Sequence, residues 1–434
     1  MTGEKELHKI VIVGGGAAGL ELASSLGRKL GRKKKAEITL VEASYTHIWK
    51  PLLHEVAAGS FAETDEIEYL AQAHRCHFQF RLGRMEGLDR GKKEIFVSPT
   101  ITKNGDEIIP KRVFNYDTLV ISVGSVSNIF NVAGVNEHCL FLDTPYQAYR
   151  FQKRLVERYI TTHTKEQSKN KCLSIAIIGA GATGVELSAE LLDVKKQFSM
   201  YGLDDITVKV TIIDTANRLL PALSEKLAFA VHKQLHKLGV ELKLGQQVVG
   251  VTEKGVRLKD GDIVLADIKV WAAGIKGPDW LANLDGLEVN RINQLVVKQT
   301  LETTEDGDIF AMGDCAACPW PGHDRPVPPR AQAAHQQAST LEKTLINRVQ
   351  GSDETIDYIY RDYGSLVALG RHSTVGSLMG NLMGSVSVGG FVARLVYLSL
   401  YKMHQVAIHG YFRTAMLTLS NLFRRSTHAR IKMH

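Results

Sequence analysis

The segments Gly14-Gly15-Gly16-Ala17-Ala18-Gly19 and Gly179-Ala180-Gly181-Ala182-Thr183-Gly184 stand 165 residues apart, and both have spacing that lets a backbone cradle a pyrophosphate. Each follows an apolar run, Val11-Ile12-Val13 or Ile175-Ala176-Ile177-Ile178, and precedes a helical pattern. Each is then followed by a strand closed by an acid: Ile38-Thr39-Leu40-Val41 by Glu42, and Val208-Lys209-Val210-Thr211-Ile212-Ile213 by Asp214. The first glycine permits the tight turn. The second, Gly16 or Gly181, lets the backbone approach a phosphate, and the third, Gly19 or Gly184, lets helix and strand pack closely. Free N–H groups at the helix start favour the anion, and the acids accept hydrogen bonds from ribose hydroxyls. One such motif is a weak signal, since a glycine-rich turn beside a surface acid is common. Two in the same context predict two dinucleotides on one chain, and electron transfer between them.

Other candidates carry less. Cys315-Ala-Ala-Cys318 is the only cysteine pair at redox or metal spacing among five cysteines. With no second pair, a small-residue segment opening a helix is the favoured reading. No metal set and no Ser-His-Asp arrangement stands out. Hydride transfer does not need one, because it rests on stacking and distance.

The elements that must position these residues are legible as strands running into glycine turns. Tyr116–Ser125 contains Gly124, Ala266–Gly274 is a near-repeat, and Asp308–Asp314 is a third. With 434 residues, 44% hydrophobic and 23% charged, the chain suits two or three globular domains. The predicted division is a first domain over 1–144 and 301–365, a second over 145–300, and a C-terminal region over 366–434. The polar stretch 193–206 reads as a surface extension, and the basic run from Arg28 to Lys35 as a solvated helix end. The charged N-terminus leaves no room for a signal peptide before the first strand, which predicts a cytosolic body.

Asp362 is the last acid. The final 72 residues hold eight Lys and Arg, so they account for the net charge of +7. On residues 391–409, Arg394, Lys402, Gln405 and His409 share an arc of about 80° in a helix, with Phe391, Leu395, Leu398 and Tyr401 outside it. Residues 411–425 form a less regular second segment grouping Arg413, Ser420, Asn421 and Arg424, with Leu417 out of place. An acid-free, apolar and basic tail predicts in-plane binding to anionic lipid, against core helices as the alternative.

Together these motifs closely resemble the two-dinucleotide-binding flavoprotein reductases, and over nearly the whole chain the type II NADH dehydrogenases, which reduce quinone without pumping ions. The narrowing segments are His47-Ile48-Trp49-Lys50-Pro51-Leu52-Leu53-His54-Glu55, Val270–Gly274, Pro328–Gln336 and the basic tail. The resemblance implies an α/β fold of two Rossmann-like domains with a C-terminal amphipathic membrane-anchoring region. It implies FAD on Gly14, Gly16, Ala17, Ala18, Gly19, Glu42, Lys50, Gly124, Ser125, Asp314, Ala331 and Gln332, with Asp314 on the ribityl chain. It implies NADH on Gly179, Gly181, Thr183, Gly184, Glu186, Asp214, Ala273 and Gly274, with Glu186 near the meeting of nicotinamide and flavin. The segment Ala331–Gln336 would lie beside the flavin ring and line a quinone pocket, where Gln332, His335 and Gln336 could hold quinone oxygens and His335 relay a proton. By residue type alone that segment is an ordinary helix start. Asp214 predicts NADH over NADPH, with Arg218 able to soften the preference.

One departure from the wider group is informative. Residues 43–75 contain no cysteine, which argues against dithiol chemistry at the flavin. The expected partners are NADH, a membrane quinone and an anionic lipid surface on the cytoplasmic face of the inner membrane, with no nucleic acid; a homodimer is left open. The rivals are a related reductase with a soluble acceptor, and a nucleotide-sensing protein whose basic tail grips nucleic acid.

Overall fold

The computed structural model describes residues 6–61, 66–102, 104–164, 171–200, 205–369, 374–380 and 384–424. Strand β1 (His8–Val13) runs into helix α1 (Ala17–Leu26), and β2 (Ala36–Glu42) returns beside it. Helices α2 (Leu53–Ala58) and α3 (Tyr69–Cys76) lead to β3 (Gln79–Leu82) and later β4 (Thr118–Ile121). Helix α4 (Pro145–His163) opens the second unit: β5 (Lys171–Ile178), α5 (Ala182–Met200), β6 (Ile206–Asp214), α6 (Glu225–Leu238), β7 (Glu241–Leu244) and β8 (Ile268–Trp271). Strand β9 (Ile309–Ala311) and helix α7 (Ala331–Val349) follow. The C-terminal part has antiparallel strands β10 (Gly364–Ala368), β11 (Thr374–Gly380) and β12 (Gly384–Gly389), then helices α8 (Gly390–His409) and α9 (Tyr411–Arg424).

Two parallel sheets carry the molecule. The first has the order β9-β4-β1-β2-β3 and the second β7-β6-β5-β8. Their central strands are continuous apolar runs buried on both faces, as parallel strands covered by helices must be. Ile12 pairs with Leu40 and Val120, and Ile177 with Ile212 and Val270, so the two sheets bring their fingerprints to equivalent strand ends. Strand β9 pairs with β4, so the chain re-enters the first sheet after completing the second.

Three surface expectations change. The stretch expected as an extension at 193–206 is helical to Met200, because Val194 and Phe198 continue the apolar period; Phe198 is buried and stacks on Tyr159 of α4 at 4.0 Å. The Arg28–Lys35 run is not simply solvated. Arg28 donates to the carbonyls of Ala407 and Ile408 at 3.0 Å each, capping the C-terminal end of α8, and Lys29 pairs with Glu342 on α7. The supposed polar arc of α8 also faces inward in part. Gln405 is buried, beside buried His404 and Ile408, because α8 packs on α1 and the C-terminal strands. The side chains of Phe391, Arg394, Leu395, Leu398, Asn421 and Arg424 lie outside the described ones. Among the described residues an exposed apolar stripe lies on α9: Tyr411, Phe412, Met416 and Leu419 are 84%, 79%, 53% and 49% exposed. Among the described residues no helix is long and apolar enough to cross a membrane.

Candidate active site

The two glycine turns are built alike. Gly14 and Gly179 take φ of +99° and +120°, which only glycine adopts without strain, and each N–H reaches the neighbouring strand, Val41 or Ile213. A Cβ on Gly19 would stand 1.9 Å from the Gly14 oxygen, and one on Gly184 2.0 Å from the Gly179 oxygen. At Gly16 and Gly181 the same atom would meet nothing nearer than 4.0 Å. The backbone there is open at the start of α1 and α5, with Ala17 partly buried, Ala18 buried and Thr183 exposed, and it fits a phosphate group. The acids are held in parallel fashion. Glu42 accepts from the Gly15 and Ser44 amides at 2.6 and 2.9 Å, and Asp214 from the Ala180 and Ala216 amides at 2.6 and 2.7 Å. Each carboxylate keeps lone pairs for ribose hydroxyls. Arg218 turns to the carbonyls of Leu223 and Pro221.

Around the first cradle the structure gathers Lys50, Ser125 and Asp314. Lys50 Nζ donates to the Ser125 carbonyl and Oγ at 2.9 Å each and stands 3.8 Å from Asp314, to which Ser125 Oγ donates at 2.8 Å. Beside them Gly124 faces open space, whereas at the equivalent turn of the second cradle Gly274 lies under the Phe130 ring and the Ala273 carbonyl accepts from Trp271 Nε1. Glu186 is buried on α5 near the first domain. Burial pushes its carboxyl up to about 8; the Ala368 amide, at 3.0 Å, opposes this, and Glu55 and Glu190 add to it. Its neighbour His54 is fully enclosed, 3.6 Å away.

The third feature is an apolar wall with a polar floor. Trp49, Leu52 and Tyr401 form a buried cluster against Ala17, Phe61, Ala331 and Leu400. One helical turn further along α1, α7 and α8 stand Glu21, His335 and His404. Glu21 Oε2 meets His335 Nδ1 at 2.6 Å and its Oε1 meets His404 Nδ1 at 2.6 Å. His404 Nε2 meets His47 Nε2 at 3.0 Å, and His47 Nδ1 reaches the Gly15 carbonyl at 3.0 Å. Burial opposes ionisation of Glu21, but the bonds from His335 and His404 outweigh it and hold the carboxyl below its ordinary range. The hydrogen bond it donates to Glu21 raises the pKa of His335, while burial and His404 push His47 down to about 3.

Of the residues expected at a quinone, the structure engages two elsewhere. Gln332 bonds Tyr360, Asp362, Tyr363 and Gly364, and Gln336 holds both the N–H and the carbonyl of Arg361. Both amides therefore clamp the 360–364 segment onto α7. Cys315 and Cys318 are free, buried and pushed up to about 12 by that burial, which leaves them inert as thiols. Sequence reading missed Glu21 and His404. Glu21 had a signal: it follows Gly19 by two residues, as Glu186 follows Gly184. His404 had none, since its partners lie more than 350 residues away.

Comparison with known proteins follows the same outline. Residues 8–338 match the family described as pyridine nucleotide-disulphide oxidoreductase. A type II NADH:quinone oxidoreductase of Haemophilus influenzae is 41% identical over 99% of this chain and all of its own length. One of Staphylococcus aureus is 30% identical over 87% of this chain and 91% of its own. Among solved structures, NDH2 from Plasmodium falciparum in complex with NADH aligns over 98% of this chain and 99% of its own, with a TM-score of 0.82 at 18% identity, a likeness of fold.

Proposed function

This chain belongs to the type II NADH:quinone oxidoreductases within the pyridine nucleotide-disulphide oxidoreductase family, and from that premise we propose how its residues divide the work. It is a flavoprotein that oxidises NADH and reduces quinone. The observation that carries the assignment of sites is the pair of equivalent cradles, only one of which has the Lys50–Ser125–Asp314 cluster beside it. The first cradle, with Glu42, Gly124 and Asp314, holds FAD; the second, with Asp214, Thr183, Ala273 and Gly274, holds NADH. Bound FAD supplies the chemistry of taking a hydride from NADH and returning two electrons to quinone. Glu186, kept neutral near neutrality by burial, lines the junction of the two units without placing a charge there. The wall of Ala17, Trp49, Ala331 and Tyr401 receives the quinone ring, and His335 supplies a proton to its oxygen. Ala331 and the clamp made by Gln332 and Gln336 shape that pocket.

Helix α9 docks the protein on lipid. At 100° per residue Tyr411, Phe412, Met416 and Leu419 span an arc of about 140°, and Arg413 flanks it. The acid-free tail supports an anionic surface, and the NADH pool supports the cytoplasmic face. The reaction is tested by adding NADH without oxygen: the flavin absorbance should bleach and return on adding quinone, and Asp314→Ala should purify with little flavin. Full flavin retention in that variant sinks the cofactor assignment. Phe412→Asp with Leu419→Asp should abolish flotation with anionic vesicles while sparing NADH oxidation by a soluble acceptor. Unchanged flotation would reject α9 as the docking helix.

A further inference from the structure

The Glu21 cluster is a closed system of donors and acceptors. His47 is buried and neutral, and its Nδ1–H donates to the Gly15 carbonyl, which also accepts from Tyr69 at 2.7 Å. Its Nε2 must then accept, so His404 Nε2, at 3.0 Å, carries a hydrogen. His404 Nδ1 faces Glu21 Oε1 at 2.6 Å. Helix α8 thus brings a hydrogen-bonding imidazole to one oxygen of a carboxyl that its histidine partners hold below the ordinary range. The other oxygen of the same carboxylate binds His335 Nδ1. A single charge therefore serves two imidazoles on two helices, and what one draws the other loses.

We propose that Glu21 is a positioning residue for quinone reduction. Its carboxylate accepts from His335 Nδ1–H and favours the imidazolium, so that Nε2–H is the bond that gives a proton to the quinone oxygen, and through His404 it makes that delivery depend on the seating of α8. The inference rests on the assignment of His335 to the quinone made above. In the reaction NADH and one proton from solvent convert quinone to hydroquinone. The two electrons and the other hydrogen derive from the NADH hydride. The His335 Nε2–H bond breaks, an O–H bond forms, and His335 recovers a proton from water, to which its 35% exposed side chain has access. The groups facing the cluster are His47, Tyr69 of α3, and His409 of α8 with Arg28, Arg75 and Arg413 around it; the Lys29–Glu342 pair lies further along α1 and α7. The one acid among these, Glu342, is paired with Lys29.

The two arms predict opposite shifts. With NADH saturating, kcat/KM for quinone falls as pH rises and His335 loses its proton. Glu21→Gln removes the charge that favours imidazolium and should move that fall to lower pH. His404→Gln removes the competitor and should move it to higher pH, each by about one unit. Histidine NMR titration of the FAD-loaded variants should show the His335 ring moving the same way. Shifts in one direction, or a lower rate with an unmoved limb and titration, overturn the role of Glu21. If His335→Gln leaves quinone reduction and its pH limb unchanged, the quinone assignment fails and the proposal falls with it. Should Glu21→Gln lose flavin, His404→Gln decides alone, by its shift to higher pH.

Discussion

Glu21 and Glu186 occupy the same place in two copies of one motif, two residues after the last glycine, and both are buried. They end in opposite states. Glu21 receives hydrogen bonds from two histidines and is held ionised; Glu186 receives one backbone amide among two further acids and is held neutral. The cradles differ likewise in what grips their turns. The Gly15 carbonyl is held by Tyr69 and His47, whereas the Ala180 carbonyl is held by the Leu220 amide. The carbonyl of the first turn is thus strapped by side chains from distant segments and that of the second by a backbone amide. That contrast suits a cofactor that stays and a substrate that must leave. It teaches that a repeated motif specifies the backbone cradle, while its surroundings decide what grips the turn and what charge sits beside it.

The glycines break the comparison most sharply. Gly19→Ala drives a methyl into the Gly14 carbonyl at a cost of about 3 kcal/mol or more, and the protein should purify without flavin. Gly184→Ala makes the same clash in the other cradle, and flavin should remain while NADH oxidation falls on the order of 100-fold. Equal flavin loss in both, read from absorbance, would mean that the cradles are not separable.

Next in size is Asp214→Ala. It removes the acceptor for the Ala180 and Ala216 amides and the charge that repels a 2′-phosphate. NADH efficiency should fall about tenfold and the preference over NADPH should narrow. An unchanged ratio of kcat/KM for the two donors would remove Asp214 from the ribose site.

Glu186→Gln tests the neutral member of the pair. Native Glu186 keeps its proton up to about 8, while the unfolded chain releases it in the ordinary glutamate range. The stability from that proton is complete below the ordinary range, declines through neutrality and is lost as pH passes about 8. The Gln variant lacks this decline, so its Tm should overtake that of the wild type by about 2 °C between pH 6 and 9. A constant Tm difference across that range would mean that Glu186 is ionised at neutrality.

Tyr69→Phe should have the smallest effect. It deletes one of the two bonds to the Gly15 carbonyl, worth about 1 kcal/mol. Flavin should dissociate a few-fold faster, with KM for NADH unmoved. A change in KM instead would show that the strap serves the second cradle.

Much of this molecule is local chemistry and could be seen without coordinates. The cradles follow from spacing, because each needs only residues within about 40 positions, from Val11 to Glu42 or from Ile175 to Asp214. The cluster at Glu21 is different. It joins residues 15, 21, 47, 335 and 404, and no periodicity links segments so far apart. The same holds for the capping of α8 by Arg28 and for the inward turn of Gln405, which a helical wheel alone placed on the wrong face. Helix periodicity reports which residues share a side, but not which neighbour that side will meet. So the sequence by itself determined two dinucleotide cradles and the acid that ends each. Only the tertiary structure decided which glutamate keeps its charge, because that depends on which histidines or acids fold against it.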